Sequence, residues 1–300
     1  MINVIIPDFM LFAEYADCIL RIYNEEKEKF YDDIKIVGIY GSYDTILDGD
    51  SLFYVPLNAA QISAFSDKMK KHGVEMYFTY NNPFLDDKMV KDSVGRQYLN
   101  LTNTCGNKII ISNPNLENEL LLRGHPKEKI IYDMSKISQN EFLEKLSESN
   151  YVILKEDDNK NFELLSSLTN PGHIIIKNSS QCLDSCPLYS NCLNSLIEYR
   201  FKMREKFNQC PYNALEENYY RTAKIRKKFI GHDDFVKEYL PIGISTVMIG
   251  DIKTTMLNKV ESIVDFLIKP EYRDDVRFEM LHRESISDTL SRKKNNEKQN

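Results

Sequence analysis

The sequence predicts an α/β fold of the TIM type, a (β/α)8 barrel. Short apolar runs rich in Ile, Val, Tyr and Phe recur along the chain, and most are separated by segments with helical spacing. The runs are continuously hydrophobic rather than alternating, as is typical of parallel strands that helices cover on both faces. Strand and helix alternate about eight times, which favours a closed barrel over an open sheet. No G-x-G-x-x-G follows the first run, and a dinucleotide-binding fold is therefore disfavoured.

The apolar runs predict where the strands lie. They cover residues 2–6, 35–40, 52–55, 74–80, 108–112, 129–133, 151–155, 173–177 and 246–250. The intervening helices are predicted at 9–29, 59–71, 115–122, 139–148 and 257–268. In the first of these helices, Phe12, Tyr15, Ala16, Ile19 and Ile22 form the i, i+3, i+4, i+7 stripe that a helix buries on one face.

One interval is too long for a single βα unit. Residues 179–244 separate the strand predicted at 173–177 from the one at 246–250. We expect them to form an insertion after a late strand, on the carboxyl side where barrel enzymes build their sites. The prediction is thus a single barrel domain at 1–283, followed by a disordered tail at 284–300 that lacks apolar periodicity.

Composition argues against several classes of protein. The 39 basic and 45 acidic residues give a formal net charge of −6, which offers no electrostatic support for broad, non-specific binding of nucleic acid. No apolar run approaches the roughly 20 residues that a membrane span needs, so no membrane association is expected. The apolar amino terminus meets Asp8 early and has no basic region, which argues against a signal peptide. We therefore expect a cytoplasmic protein.

Four of the six cysteines fall close together, at Cys182, Cys186, Cys192 and Cys210, with the spacing C-x3-C-x5-C-x17-C. In a reducing compartment, clustered cysteines are typical of metal or redox ligands. Four thiolates can hold a tetrahedral zinc ion or a 4Fe–4S cluster, and buried cysteines without a metal are the remaining alternative. We favour the 4Fe–4S cluster over zinc because the paired C-x2-C knuckles of structural zinc sites are absent from this sequence.

Polar residues follow the predicted strands at their carboxyl ends. They are Tyr40, Ser42, Asn81, Asn82, Asn113, Asp133, Lys177 and Asn178. In a barrel these positions converge on one mouth, so we expect them to contact the substrate. Asn81 and Asn178 are favoured because each directly ends a strongly apolar strand. The alternative for every one of these residues is a helix cap or a turn, and Asn113 before Pro114 is a good turn signal.

Two further features carry a functional and a structural interpretation each. His232, beside Asp233 and Asp234, is a candidate acid–base group, metal ligand or substrate contact, whereas the two aspartates also suit the start of a helix. The segment YYRTAKIRKK at 219–228 suits RNA phosphates and stacked bases, but the net charge of −6 favours the alternative, a solvated helix face. No H-x-x-x-H or G-x-S-x-G motif is present, so a classical metalloprotease and an elbow-type serine hydrolase are not supported.

Several segments carry a resemblance to a known family. In HIIIKNSSQCLDSCPLYSNC, at 173–192, a strand ending in Asn precedes a Cys-x3-Cys-Pro motif. A second block, FIGHDDFVKEYLPIGISTVMIGD at 229–251, is followed by FLIKPEYRDD at 266–275. Both blocks resemble the collagenase-like peptidase family (U32), and VGIYGS at 37–42 and FTYNNPFLDD at 78–87 are similar to strand ends in small U32-like proteins. Two positions depart from the family pattern, since His232 stands in place of a Pro and Asp251 in place of an Arg.

The resemblance implies a TIM-type barrel whose four clustered cysteines ligate a 4Fe–4S cluster. Better-understood relatives hydroxylate RNA bases or quinone precursors, so we expect a redox or hydroxylation enzyme that acts on RNA or on a small aromatic substrate. The alternatives are a peptidase-like hydrolase and a non-catalytic, metal-stabilised accessory subunit, and the departure at Asp251 favours the accessory subunit. The implied partners are RNA or a small-molecule substrate, together with a partner subunit of related fold.

Overall fold

Eight parallel strands, taken in chain order, close into a barrel, and the last strand pairs with the first. This computed structural model describes residues 1–7, 13–42, 47, 59–82, 85–91, 93–134, 139–148, 151–178, 229–250 and 256–282. Helices lie between most of the strands, because neighbouring parallel strands need a crossover connection, which is usually a helix. The TIM-type (β/α)8 barrel that the sequence predicts is therefore confirmed.

The strands coincide with the apolar runs. They are β1 Ile2–Pro7, β2 Ile34–Gly41, β3 Glu75–Tyr80, β4 Lys108–Ile111, β5 Ile130–Asp133, β6 Val152–Ile153, β7 Ile174–Asn178 and β8 Thr246–Ile249. Their bounds agree with the predicted ones to within about two residues, which is the usual uncertainty of element ends. The run predicted at 52–55 lies outside the described residues.

The helices lie around the strands. They are α1 Ala13–Glu25, α2 Ala59–Lys71, α3 Asp87–Val90, α4 Ser93–Thr104, α5 Pro114–Leu122, α6 Gln139–Ser147, α7 Phe162–Ser167, α8 His232–Asp234 and α9 Met256–Leu267, and residues 273–282 are also helical. Helix α8 continues as a π-helical turn, Phe235–Tyr239. Helices α4 and α7 are not predicted from the sequence, because their apolar residues are interspersed with Asn, Thr and Ser. Among the helices of the described part of the chain, none combines the length and the apolar character that crossing a bilayer requires.

The interior of the barrel is filled by one side chain from each strand. These are Ile5, Tyr40, Tyr77, Ile110, Ile131, Ile153, Ile175 and Met248, and all eight are buried. Burying an aliphatic or aromatic side chain contributes about 1.5–3 kcal/mol relative to leaving it exposed. The alternate residues of the same strands pack outward against the helices in the larger apolar core. The barrel is therefore solid at this level, and a ligand has access only from an end.

Gly38 makes room for one of these interior side chains. A Cβ atom at Gly38 would lie 2.2 Å from Cε2 of Tyr77, so only a residue without a side chain fits beside that ring. The Tyr77 hydroxyl accepts a hydrogen bond from Lys108 Nζ at 3.2 Å, and the same ammonium pairs with Glu75 at 2.6 Å. Burial raises the pKa of Tyr77, whose ring and hydroxyl thus stay neutral. Because Lys108 and Glu75 begin β4 and β3, this group lies at the amino end of the barrel.

Outside the barrel, an ionic group fixes two helices to β5. Glu117 on α5 accepts a hydrogen bond from the Tyr132 hydroxyl at 2.5 Å and pairs with Lys145 on α6 at 2.9 Å. Burial and the hydrogen bond to Glu117 raise the pKa of Tyr132, so the phenol remains a donor. The carboxylate is nearly buried and satisfied from both sides, as a charge at such a position requires.

His125 is a second buried titratable group, in the connection between α5 and β5. Its ring is buried, and neither ring nitrogen has a hydrogen-bond partner among the described residues. Burial, reinforced by the charge of Lys129, lowers the pKa of His125 to about 4. The folded protein therefore holds the neutral ring, whereas the unfolded chain takes up a proton near the ordinary pKa of about 6.5.

We expect Gly38→Ala to lower the free energy of unfolding by about 1–3 kcal/mol, because the added methyl group would overlap the ring of Tyr77. Gly172→Ala is the matched control, since its Cβ would come no closer than 4.0 Å to the carbonyl oxygen of Gly243. Chemical unfolding of both variants measures the difference. Equal unfolding midpoints for the two variants would contradict the position assigned to the Tyr77 ring.

We also expect the protein to lose stability in mild acid through His125. Because the folded pKa lies below the unfolded one, the contribution of the neutral ring is complete above about pH 6.5 and is lost as the pH falls toward about 4. His125→Leu should reduce the loss of unfolding free energy between about pH 7 and about pH 5 by roughly 2 kcal/mol. Urea unfolding at the two pH values tests this, with exposed His282→Leu as the control. An unchanged pH dependence in His125→Leu would show the prediction to be wrong.

Candidate functional site

A ring of polar side chains lies directly above the apolar interior. On six strands, the residue two positions beyond the interior side chain is polar: Ser42, Thr79, Ser112, Asp133, Lys155 and Lys177. Since side chains two apart on a strand share a face, these residues turn toward the carboxyl mouth of the barrel. We call this set the polar ring. The two remaining strands contribute Pro7 and Gly250, which lie close together and leave no polar group there.

Two members of the polar ring are used to join strand ends. The Thr79 hydroxyl donates to the Gly41 carbonyl oxygen at 3.1 Å, and the Ser112 hydroxyl donates to the carbonyl oxygen of Asn81 at 2.8 Å. Just below the ring, the Tyr40 hydroxyl donates to the Ile249 carbonyl oxygen at 3.2 Å. Tyr40 is thus part of the barrel interior, directly beneath the mouth that the sequence assigns to it.

Ser42 differs from the other hydroxyl groups of the ring. It is 3% exposed, and its Oγ atom has no hydrogen-bond partner among the described residues. A buried hydroxyl without a partner costs about 1–3 kcal/mol, so native structures seldom keep one without a reason. Its position at the mouth makes it a candidate ligand contact.

Lys177, on β7, contacts the segment that follows β6. Its ammonium is 3.6 Å from Glu156, and its carbonyl oxygen accepts a hydrogen bond from Asn159 Nδ2 at 3.0 Å. Asn159 is itself held by the Tyr239 hydroxyl, which donates to the Asn159 carbonyl oxygen at 2.8 Å. The side-chain oxygen Oδ1 of Asn159 is buried and has no partner within the described ranges. A fixed, half-buried ammonium and an unused amide oxygen therefore lie beside β7.

The asparagines that follow β3 and β4 lie near one another but differ in what they do. Asn113 caps α5, because its Oδ1 accepts from the Asn115 amide at 2.9 Å, and its Nδ2 donates to the Leu85 carbonyl oxygen at 3.1 Å. The structural alternative thus accounts for the whole amide of Asn113. Asn81 and Asn82 are both buried at the end of β3, and the Asn82 amide donates to the Leu47 carbonyl oxygen at 3.0 Å.

Asn178 binds a distant segment of the chain. Its Nδ2 donates to the Ile230 carbonyl oxygen at 2.7 Å, and its Oδ1 accepts from the Ile230 amide at 2.9 Å. The side-chain amide therefore pairs with both backbone groups of one residue, its N–H and its carbonyl, as a neighbouring strand would. Both partners are buried. The chain that leaves β7 after Asn178 is thereby brought back to the same strand end at Ile230, and we call this pair of hydrogen bonds the Asn178 clamp.

His232 does not lie with the polar ring. Its ring is stacked on Tyr31, with centroids 3.6 Å apart, and its Nε2 is 2.8 Å from Asp33, which directly precedes β2. The other ring nitrogen is 3.3 Å from Asp233. Helix α8 begins at His232, so Asp233 and Asp234 lie in its first turn, where carboxylates are favourable. These contacts hold α8 against the loop before β2 and leave the mouth to other residues.

Cys182, Cys186, Cys192 and Cys210, together with the basic segment 219–228 and Asp251, lie outside the described residues. Within the described ranges, no three His, Cys, Asp or Glu side chains are arranged to hold a metal ion. The 4Fe–4S cluster and its zinc alternative therefore stay predictions.

Three residues of the mouth were not expected from the sequence: Lys155, Glu156 and Asn159. Lys155 ends the apolar run at 151–155, so the rule that singles out polar strand ends also applies to it. Glu156 and Asn159 lie in the short 3-10 turn and loop that follow, where no sequence pattern indicates that they return to β7. Their contact with Lys177 emerges only in the folded barrel.

Comparison with known proteins supports the fold and goes no further. No protein-family model matches the sequence, and no curated protein matches it. A solved structure described as that of a U32 peptidase is similar, with a TM-score of 0.50 and 10% sequence identity, over 83% of this chain and 92% of that one. At this identity the similarity concerns the fold alone, and it agrees with the U32-like barrel that the sequence motifs predict.

Proposed function

We propose that this chain is a U32-like iron–sulfur barrel protein that performs redox or hydroxylation chemistry on a substrate bound at the carboxyl mouth. The substrate is RNA or a small aromatic molecule. The Asn178 clamp is the observation that carries the proposal, because it fixes both ends of the cysteine-bearing segment at the mouth. Asn178 precedes the four cysteines and Ile230 follows them, so the segment leaves and returns at one strand end.

The donor set fits the proposed group. Four thiolates suit a 4Fe–4S cluster, and zinc is the alternative that the same ligands accept. His232 does not compete as a ligand, since its two ring nitrogens face Asp33 and Asp233. A bound 4Fe–4S cluster supplies one-electron redox chemistry.

The described residues supply binding and orientation. The apolar interior closes the barrel from below, so a substrate enters from the carboxyl side and rests on the polar ring. Lys177, held by Glu156 and by Asn159, presents a positive charge in a fixed place. Thr79 and Ser112 hold the strand ends of β2, β3 and β4 in register, which keeps the mouth rigid.

Peptide hydrolysis, the alternative function, needs an activated nucleophile or water. Ser42 is a hydroxyl at the mouth, but no base is hydrogen-bonded to it among the described residues. The similarity to a U32 peptidase concerns the fold and so does not favour hydrolysis. The other alternative is a non-catalytic accessory subunit, alone or with a partner of related fold, which would bind the metal but have no catalytic activity. An activity assay on the metal-loaded protein distinguishes it from an enzyme.

We expect the chain, purified without oxygen, to be brown and to contain about four irons and four sulfides. Cys182→Ser should remove most of the iron and the visible absorbance, because each thiolate is a ligand. Cys105→Ser, at a half-buried free cysteine far from the others in sequence, is the control and should keep both. Stoichiometric zinc in place of iron, or iron content unchanged in Cys182→Ser, would contradict the cluster.

We expect Asn178→Ala to lower both stability and iron content. The change leaves the amide and the carbonyl oxygen of Ile230 without partners, at a cost of about 2–4 kcal/mol in the free energy of unfolding. Asn178→Asp keeps the acceptor for the Ile230 amide but sets a buried carboxylate oxygen against the Ile230 carbonyl oxygen, so it should lose at least as much of both. Asn140→Ala, at an exposed position on α6, is the control. Normal iron content in a folded Asn178→Ala variant would show that the clamp does not hold the metal-binding segment.

A further inference from the structure

We propose that the polar ring binds the phosphate or carboxylate group of the substrate, with Lys155 as its charged partner and Ser42 as a neutral donor. The proposal rests on the proposed function in taking the carboxyl mouth as the substrate site. It adds the chemical class of the group that is bound there.

The charges of the mouth leave Lys155 as the available ammonium. Lys177 is paired with Glu156, and Asp133 has a partner of its own. The Lys155 carbonyl oxygen accepts from the Asp158 amide at 3.0 Å, but its ammonium pairs with no carboxylate among the described residues, and the residue is half buried. An ammonium has three donors and no acceptor, so one at the mouth that no described carboxylate pairs with is available to an anionic ligand.

Lys155 is directed toward the mouth by the pattern of its strand. Ile153 belongs to the barrel interior, whereas Leu154 packs in the outer core, so the alternation turns Lys155 inward again. The ladder with β7 continues to Leu154, whose amide donates to the Ile175 carbonyl oxygen at 3.0 Å. Lys155 itself has extended backbone angles, φ −58° and ψ 137°, so the chain has not yet turned away.

Ser42 faces Lys155 from across the barrel. It follows β2, and Lys155 follows β6, four strands away in a closed ring of eight, so the two side chains approach the mouth from opposite sides. The Ser42 hydroxyl is buried and lacks a protein partner among the described residues. A ligand between them would contact the Lys155 ammonium on one side and the Ser42 hydroxyl on the other.

A second unused group defines the ligand further. Asn159 Oδ1 is an acceptor without a partner in the described part of the chain, beside Lys177. In the opposite amide orientation, Oδ1 would face the Lys177 carbonyl oxygen, another acceptor, so Nδ2 makes this contact and Oδ1 stays unused. The three groups together match an oxyanion that carries a hydroxyl or protonated oxygen nearby, because two donate and one accepts.

The test is a titration of the full chain, as purified, with inorganic phosphate and, separately, with acetate, at constant ionic strength set by chloride. Saturable shifts in the thermal midpoint or in amide NMR signals report binding. The anion that binds with the higher affinity shows whether the site prefers a phosphate or a carboxylate group. A short oligonucleotide without terminal phosphates forms a third arm, which distinguishes a phosphodiester source from a free anion. None of these readouts depends on activity or on iron content, so their outcome is separate from that of the metal assay.

Lys155→Met should weaken the affinity for the bound anion at least tenfold, whereas Lys71→Met, an exposed lysine on α2, should leave it unchanged. Ser42→Ala should weaken it about threefold or more without lowering the unfolding midpoint, because the hydroxyl has no partner to lose. A structural role for Ser42 would lower the midpoint instead. No saturable response in the unmodified chain, or equal affinities in Lys155→Met and Lys71→Met, would overturn the proposal.

Discussion

The closed ladder of eight parallel strands is the constraint on which the rest of the structure depends. It fixes the register of every strand, and with it the direction of every side chain, since a slip of one residue would turn interior groups outward. One interior residue per strand fills the barrel, so the next inward residue necessarily lies at the mouth. The polar ring is therefore a consequence of strand pairing, and its members share one end of the barrel although they come from widely separated parts of the sequence.

The Asn178 clamp extends this order beyond the barrel. Strand β7 ends in an amide side chain that offers one donor and one acceptor, and Ile230 supplies the matching peptide groups 52 positions along the chain. Closing a long loop costs conformational entropy, but this cost grows only slowly with loop length. Two buried hydrogen bonds at the base can thus hold both ends of the cysteine-bearing segment in place, independently of what the segment itself binds.

The sequence predicted the barrel because its signal is local. Continuous apolar runs and amphipathic segments located the strands, as well as helices such as α2 and α6, to within about two residues. Helix α4 was not predicted, because its apolar residues are separated by Asn and Thr, which weaken the periodic pattern. The contact between His232 and Asp33 was not predicted for a different reason. The two residues lie 199 positions apart, and no local pattern indicates that they meet.

The roles of the polar residues at the strand ends likewise depend on contacts between distant residues, which local sequence patterns do not reveal. Position after an apolar strand predicted that Asn113 and Asn178 lie at the carboxyl end, but the nitrogen and the oxygen of both side-chain amides are bonded within the protein, one amide in a helix cap and one in the clamp. A side chain whose donors and acceptors are satisfied internally has little left to offer a ligand. The groups that remain unused in the described part of the mouth are on Ser42, Lys155 and Asn159. Of these, the Ser42 hydroxyl and the Asn159 side-chain oxygen are buried atoms, whose burial is costly without a partner. Hydrogen-bond accounting in the folded state, rather than strand position alone, therefore separates the residues that build the mouth from those that can bind at it.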